Sequence, residues 1–141
     1  MPNLRELLLS HGRFTDKGLD ALKTLTGLKR LELVRTRTGP LGLATIATLR
    51  NLEVLNLDYT TVDPKNFALF RGMPQLRELY LDSADIGDES IEVLASMPNL
   101  RVVNLYHTLL TEGGATKLKE ALPKTQIIWD RDSARPNRRK T

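Results

Sequence analysis

At 141 residues the chain is one domain long, and its 40% of hydrophobic residues suffices for a continuous core if its parts stack. No stretch is long and apolar enough to span a bilayer and no basic segment leads an apolar one, which favours the cytoplasm without fixing the compartment; the lack of cysteine excludes disulfides and thiolate metal sites. The net charge of +4 belongs to the end of the chain: five of the 21 Lys and Arg but one of the 17 Asp and Glu lie beyond Asp130, leaving residues 1–130 with 16 of each and no expected basic stripe for phosphates.

The chain opens MPNLR, the same five residues return at Met97 to Arg101, and MPQLR begins at Met73, so the repeats share a period of 24 residues. In the first row Leu4 is followed by alternating Leu7 and Leu9, which predicts a short strand with those two turned inward. A helix then starts at Asp16, after Thr15, with Leu19, Leu22 and Leu25 on one face. The second row repeats the strand with Leu28, Leu31 and Leu33, and the helix from Pro40 after Gly39, with Leu43, Ile46 and Leu49 inward. The third has Leu52, Leu55 and Leu57, then a helix from Pro64 after Asp63, burying Phe67, Phe70 and Met73. The fourth has Leu76, Leu79 and Leu81, then a helix from Asp88 after Gly87, burying Ile91, Leu94 and Met97. The fifth has Leu100, Val103 and Leu105, with a helix from Glu112 after Thr111.

The residue before each helix is an acceptable N-cap, and the acids and prolines that follow suit the dipole and a first position that needs no N–H bond. The stretch QIIWD reads as a sixth strand with Ile127 and Trp129 inward and no helix after it. Trp129 is therefore expected to cap the open end of the core, ahead of a disordered basic tail over 131–141.

With its LxxLxL rows, and lines such as LRELLLSHGRFTDKGLDALKTL and LRELYLDSADIGDESIEVLASM, residues 1–130 resemble leucine-rich repeats. The TDKGL at Thr15 to Leu19 is similar to the helix-containing, ribonuclease-inhibitor-like subclass. The resemblance implies an α/β solenoid of five repeats plus a capping strand: a right-handed αβ superhelix with a parallel sheet on the concave face and helices on the convex face. It also implies a binding role. The chain departs from that family at the turn after each strand, where Asn or Cys usually bonds to backbone in neighbouring rows and this sequence has Gly12, Thr36, Thr60, Ala84 and Thr108. The threonine hydroxyls are able to make that bond; Gly12 and Ala84 are not.

The outward positions of the strands form four lanes, and all three tyrosines fall in them: Tyr59, Tyr80 and Tyr106. Tyrosine joins broad apolar area to a polar tip and is enriched at protein interfaces, although strands favour aromatics in any case. The lanes also hold Glu6, Glu32, Asp58, Glu78 and Asp82 against Arg30 and Arg35, a net acidic face. The expected partner site is Asn56, Asp58, Tyr59, Tyr80, Asp82, Asn104 and Tyr106, and the expected partner a protein or peptide of basic character. The alternative is that the acidic face weakly attracts the chain's own basic tail.

No enzyme, metal site or cofactor is expected, since there is no phosphate loop, dinucleotide fingerprint or nucleophile elbow. His11 and His107 share a lane but lie four strand spacings apart, roughly 19 Å, too far to ligate one ion. Asp58 and Asp82 are neighbours, so a weak cation site or a raised pKa is the one chemical expectation, against a plain polar surface. The alternative to a binding module is a piece that caps the C-terminal end of a longer array, with a tail that tethers the chain to polyanions as a third reading. Neither nucleic acid nor membrane is an expected partner of the body. Leu4, Leu7 and Leu9 would be covered on one side only, which predicts self-association at that edge or further rows before Met1.

Overall fold

Successive strands lie one row apart in a computed structural model that describes residues 3–9, 16–36, 40–60, 62 and 64–130. The strands are β1 (Glu6–Leu8), β2 (Arg30–Glu32), β3 (Val54–Asn56), β4 (Glu78–Tyr80), β5 (Val102–Asn104) and β6 (Gln126–Ile128), and they form one six-stranded sheet in sequence order. All pairs are parallel and register residues 24 apart, as in Leu31 with Leu55 and Leu79 with Val103. The amides after the strands continue the ladder: Leu33 N–H donates to the Asn56 carbonyl at 2.8 Å and Leu57 N–H to that of Tyr80 at 2.8 Å.

The inward columns form one apolar layer behind the sheet. Leu28, Leu31, Leu33, Leu52, Leu55, Leu57, Leu76, Leu79, Leu81, Val103 and Leu105 are buried, whereas Leu4, Leu7 and Leu9 at one end, and Ile127 and Trp129 at the other, are only partly covered. An end row has a neighbour on one side, so it gains about half the cover of an interior one. Trp129 thus packs on the last layer of the described residues, with its indole Nε1 out of solvent and no hydrogen-bond partner there.

Behind this layer lie the helical segments: α1 (Asp16–Leu19) running into the 3-10 helix η1 (Asp20–Thr24), α2 (Pro40–Ala47), the 3-10 helix η2 (Pro64–Gly72), η3 (Asp88–Ser90) running into α3 (Ile91–Ala95), and α4 (Glu112–Ala121). All five begin on the expected column. Their type varies from row to row, and apolar spacing alone does not set it, since Leu43, Ile46 and Leu49 step by three in the row of an α-helix, α2. Phe67, Phe70 and Met73 step strictly by three, which aligns them on one line of a 3-10 helix. Ala115, Leu118 and Leu122 step by three and then four, the rhythm of an α-helix, and α4 is one. The first four rows close with a tight bond to the third residue back, as in Met73 N–H to the Phe70 carbonyl at 3.0 Å.

One inward assignment needs correction. Ile91 is only half-buried, and Val93 beside it fills the core instead, because the turn from η3 into α3 rotates the face. Of the expected caps, Thr111 accepts a bond from Gly114 N–H at 3.0 Å in an extended conformation, while Gly87 makes no side-chain cap. Thr15, Gly39 and Asp63 lie outside the described residues, as do Met1, His11, Gly12 and the tail 131–141.

At the turns after the strands, Thr60 is the threonine whose hydroxyl bonds across rows among the described residues, and it also accepts Thr36 N–H at 3.4 Å. Thr60 donates its hydroxyl to the Leu33 carbonyl at 2.6 Å, while Thr36 and Thr108 donate back within their own rows, to Leu33 and Leu105, each at 2.7 Å. Ala84 fills its turn as a buried methyl.

Candidate functional site

The solvent-facing side of the sheet carries the four lanes. Where β2, β3, β4 and β5 leave the sheet the chain makes the same sharp turn, with Arg35, Tyr59, Ser83 and His107 at φ 57°, 58°, 63° and 55°. Left-handed backbone at a residue with a Cβ is costly, and here it recurs every 24 residues, so it belongs to the solenoid turn itself. The turn sets Arg35 over the ring of the exposed Tyr59, its guanidinium carbon 4.7 Å from the centroid, a cation–π contact.

The predicted polar residues are partly used by the fold. Asn56 Oδ1 accepts Asp58 N–H and Asn104 Oδ1 accepts Tyr106 N–H, both at 2.9 Å, and Asp58 Oδ1 accepts Asp82 N–H at 2.8 Å. These side chains serve the amides that follow the strands. Burial raises the Asp58 pKa to about 6; the Asp82 amide pulls it down, and the charges of Asp82 and Glu32 push it up. Sequence reasoning offers a raised pKa as the alternative to a plain polar surface, on the ground of the neighbouring carboxylate; in the fold burial is the larger cause. Tyr80 donates its hydroxyl to Glu78 Oε1 at 2.5 Å, and burial together with this bond pushes its pKa up to about 12.

Asp82 is the junction of the site. Its Oδ1 accepts the Ser83 hydroxyl at 2.9 Å and meets His107 Nδ1 at 3.1 Å. The His107 ring stands edge-on to Tyr106 with centroids 4.3 Å apart, and the Tyr106 hydroxyl donates to Asp130 Oδ2 at 3.1 Å. Asn56, Asp58, Asp82, His107, Tyr106 and Asp130 thus form a run of polar and aromatic groups across four strands. Tyr80 and Asn104 lie on the adjoining strands β4 and β5, and Tyr59 stands apart beside Arg35.

Sequence reasoning missed His107, weighed only as half of a metal pair, and Asp130, assigned to the end of a capping strand. Their signal was the 24-residue column: Asp130 follows Tyr106 by one row. It missed more at the opposite edge of the sheet. There Arg5, Lys29, Arg77 and Arg101 occupy one column with Glu53 among them, and Arg50 lies alongside. A balanced total concealed this segregation of basic edge from acidic face.

Among the described residues no group of three or more His, Asp or Glu is placed to hold a metal ion, and no helix is long and apolar enough to cross a membrane. Models of the leucine rich repeat match residues 26–86 and residues 1–23. A comparison with curated proteins found no match. Among solved structures the chain is similar to an internalin from Listeria monocytogenes, with a TM-score of 0.74 and 23% identity over 90% of this chain and 34% of that one. It is also similar to a leucine-rich repeat protein of Leptospira interrogans, with a TM-score of 0.61 and 18% identity over 89% of this chain and 37% of that one. The chain spans about a third of the length of each.

Proposed function

The chain being an α/β leucine-rich repeat solenoid, we propose that it works as a protein-interaction module, not an enzyme, whose concave sheet takes a protein or peptide partner. The observation that carries this is the continuous run from Asn56 through Asp58, Asp82 and His107 to Tyr106, with Tyr80 on the strand between. It joins aromatic area to oriented carboxylates on the solvent-facing side of a sheet. Lys or Arg side chains complement that chemistry, through the acids and through the aromatic faces. The reading takes residues 1–130 as the module, with 131–141 appended, and keeps the ribonuclease-inhibitor-like subclass that TDKGL resembles.

Peptides selected from a random display library on the wild-type chain test this reading. They should be rich in Lys and Arg and should lose more than 1 kcal/mol on Tyr80→Ala and on Tyr106→Ala. Selected peptides indifferent to both substitutions would refute it.

A further inference from the structure

The basic edge is a second surface, distinct from the tyrosine face. Its column is rigid because each backbone bonds to the row before: Lys29 N–H to the Arg5 carbonyl, Glu53 to Lys29 and Arg77 to Glu53 at 2.8 Å, Arg101 to Arg77 at 2.7 Å. At the parallel-sheet spacing the charges follow one another at about 5 Å. They border a groove of about 410 Å³, continued toward the first row by another that shares Lys29 and Glu53. Lys29 and Arg77 both hold Glu53, at 3.4 Å each, while Arg50 and Arg101 make no ion pair among the described residues.

A ladder of carboxamides runs along the groove. Asn51, Gln75 and Asn99 each donate one N–H to a carbonyl of the preceding row, those of Thr26, Leu49 and Pro74, at 2.7, 3.1 and 2.8 Å. That bond orients the amide and leaves its carbonyl oxygen as an acceptor beside the cations.

We propose that this groove is a docking site for an extended acidic segment of a partner protein, whose carboxylates pair with Arg50, Arg77 and Arg101 and whose backbone N–H groups meet the carboxamides. Glu53 already places a carboxylate between Lys29 and Arg77, and so shows the ion that the column accepts. A nucleic acid fits less well. Its sugar–phosphate backbone brings no N–H donors for the carboxamides, and its regularly spaced phosphates would meet Glu53 among the cations. This surface goes beyond the tyrosine face, and the two are separable by mutation.

The test is fluorescence anisotropy on the full chain with three labelled probes: a dodecapeptide of alternating Glu and Ser, its Gln and Ser analogue, and a twelve-residue oligothymidine. The acidic peptide should bind, weaken with salt, and weaken by roughly tenfold in Arg50→Gln/Arg101→Gln, where two exposed charges are lost. It should tighten in Glu53→Gln, which removes the resident competitor, and stay unchanged in Tyr80→Ala/Tyr106→Ala. Because the tail is also basic, a variant with Arg138, Arg139 and Lys140 all changed to Gln should bind as the wild type does. The proposal is overturned if the acidic peptide does not bind. It is overturned equally if the tail variant alone abolishes binding, or if the groove takes oligothymidine more tightly than the acidic peptide. Thermal melts of the groove variants matching the wild type exclude unfolding as the cause.

Discussion

Asp58 Oδ1 accepts the backbone N–H of Asp82 from the adjacent row at 2.8 Å, which makes a half-buried carboxylate part of the joint between rows. Its pKa is raised from 3.8 to about 6 in the fold. Between those values the folded chain keeps a proton that the unfolded chain has released, so stability falls as pH rises through this window and stays lowered above it. Asp58 is partly solvated, which reduces the penalty to about 1 kcal/mol. Asp58→Asn keeps an oxygen for the Asp82 amide and removes the charge. It should stabilise the chain by about 1 kcal/mol at pH 7.5 and by almost nothing at pH 4, measured by urea unfolding. Equal effects at the two pH values would show that charge burial is not the cause.

Gly114 in α4 is held to its size by the row before it. A Cβ there would collide with Asp88 Oδ1, and that carboxylate accepts both Thr111 N–H at 2.9 Å and the Thr111 hydroxyl at 2.6 Å. Glycine inside a helix ordinarily gains about 1 kcal/mol on replacement by alanine. Here Gly114→Ala should instead destabilise by about 2 kcal/mol, since Asp88 must leave the Thr111 cap. In an Asp88→Ala background the same change should become neutral or favourable. Thermal unfolding of the four chains gives the coupling, and additive effects would contradict the geometry.

The repeated left-handed turn makes a different demand. At Arg35, φ is 57°, a conformation that asparagine tolerates and β-branched residues resist. Arg35→Asn and Arg35→Val both lose the stacking on Tyr59, so their difference isolates the backbone. The valine variant should be less stable than the asparagine variant by about 1 to 2 kcal/mol in urea titrations. Indistinguishable midpoints would mean that the turn relaxes at little cost.

Much of this architecture was legible because a period of 24 aligns unlike evidence in one column. Leu31, Leu55, Leu79 and Val103 share a position whose only task is burial, and each is fully buried. Asp16, Pro40, Pro64, Asp88 and Glu112 all open a helical segment. Helix type was not legible: Leu43, Ile46 and Leu49 in the row of α2 keep the same steps of three as Phe67, Phe70 and Met73 in the row of η2. The face that carries Tyr59, Tyr80 and Tyr106 was legible from alternation, but the duties of Asn56, Asn104 and Asp58 were not. Their bonds go to amides whose direction depends on a left-handed turn that neither composition nor periodicity announces. The basic edge was missed for another reason, that charge was totalled over the body and not by column.

Thr60 and Thr36 converge on a single acceptor, the Leu33 carbonyl, at 2.6 and 2.7 Å. Both hydroxyls are buried, and among the described residues that of Thr60 crosses between rows while that of Thr36 donates within its own. A carbonyl oxygen has two lone pairs, so either hydroxyl alone still satisfies it. Thr36→Val should therefore cost about 1 kcal/mol, close to the net value of one hydrogen bond, and Thr60→Val more than that, since its hydroxyl oxygen also accepts Thr36 N–H at 3.4 Å. The double variant leaves the Leu33 oxygen without either hydroxyl donor in a buried turn, and a buried polar group left unsatisfied costs about 1 to 3 kcal/mol. The loss in the double variant should exceed the sum of the singles by about 1 kcal/mol, as read from a double-mutant cycle of urea melts. Thr108→Val, whose hydroxyl donates to Leu105 within its own row, should behave as an independent single and add to either of them. A strictly additive cycle for Thr36 and Thr60 would mean that the Leu33 carbonyl is not shared in solution.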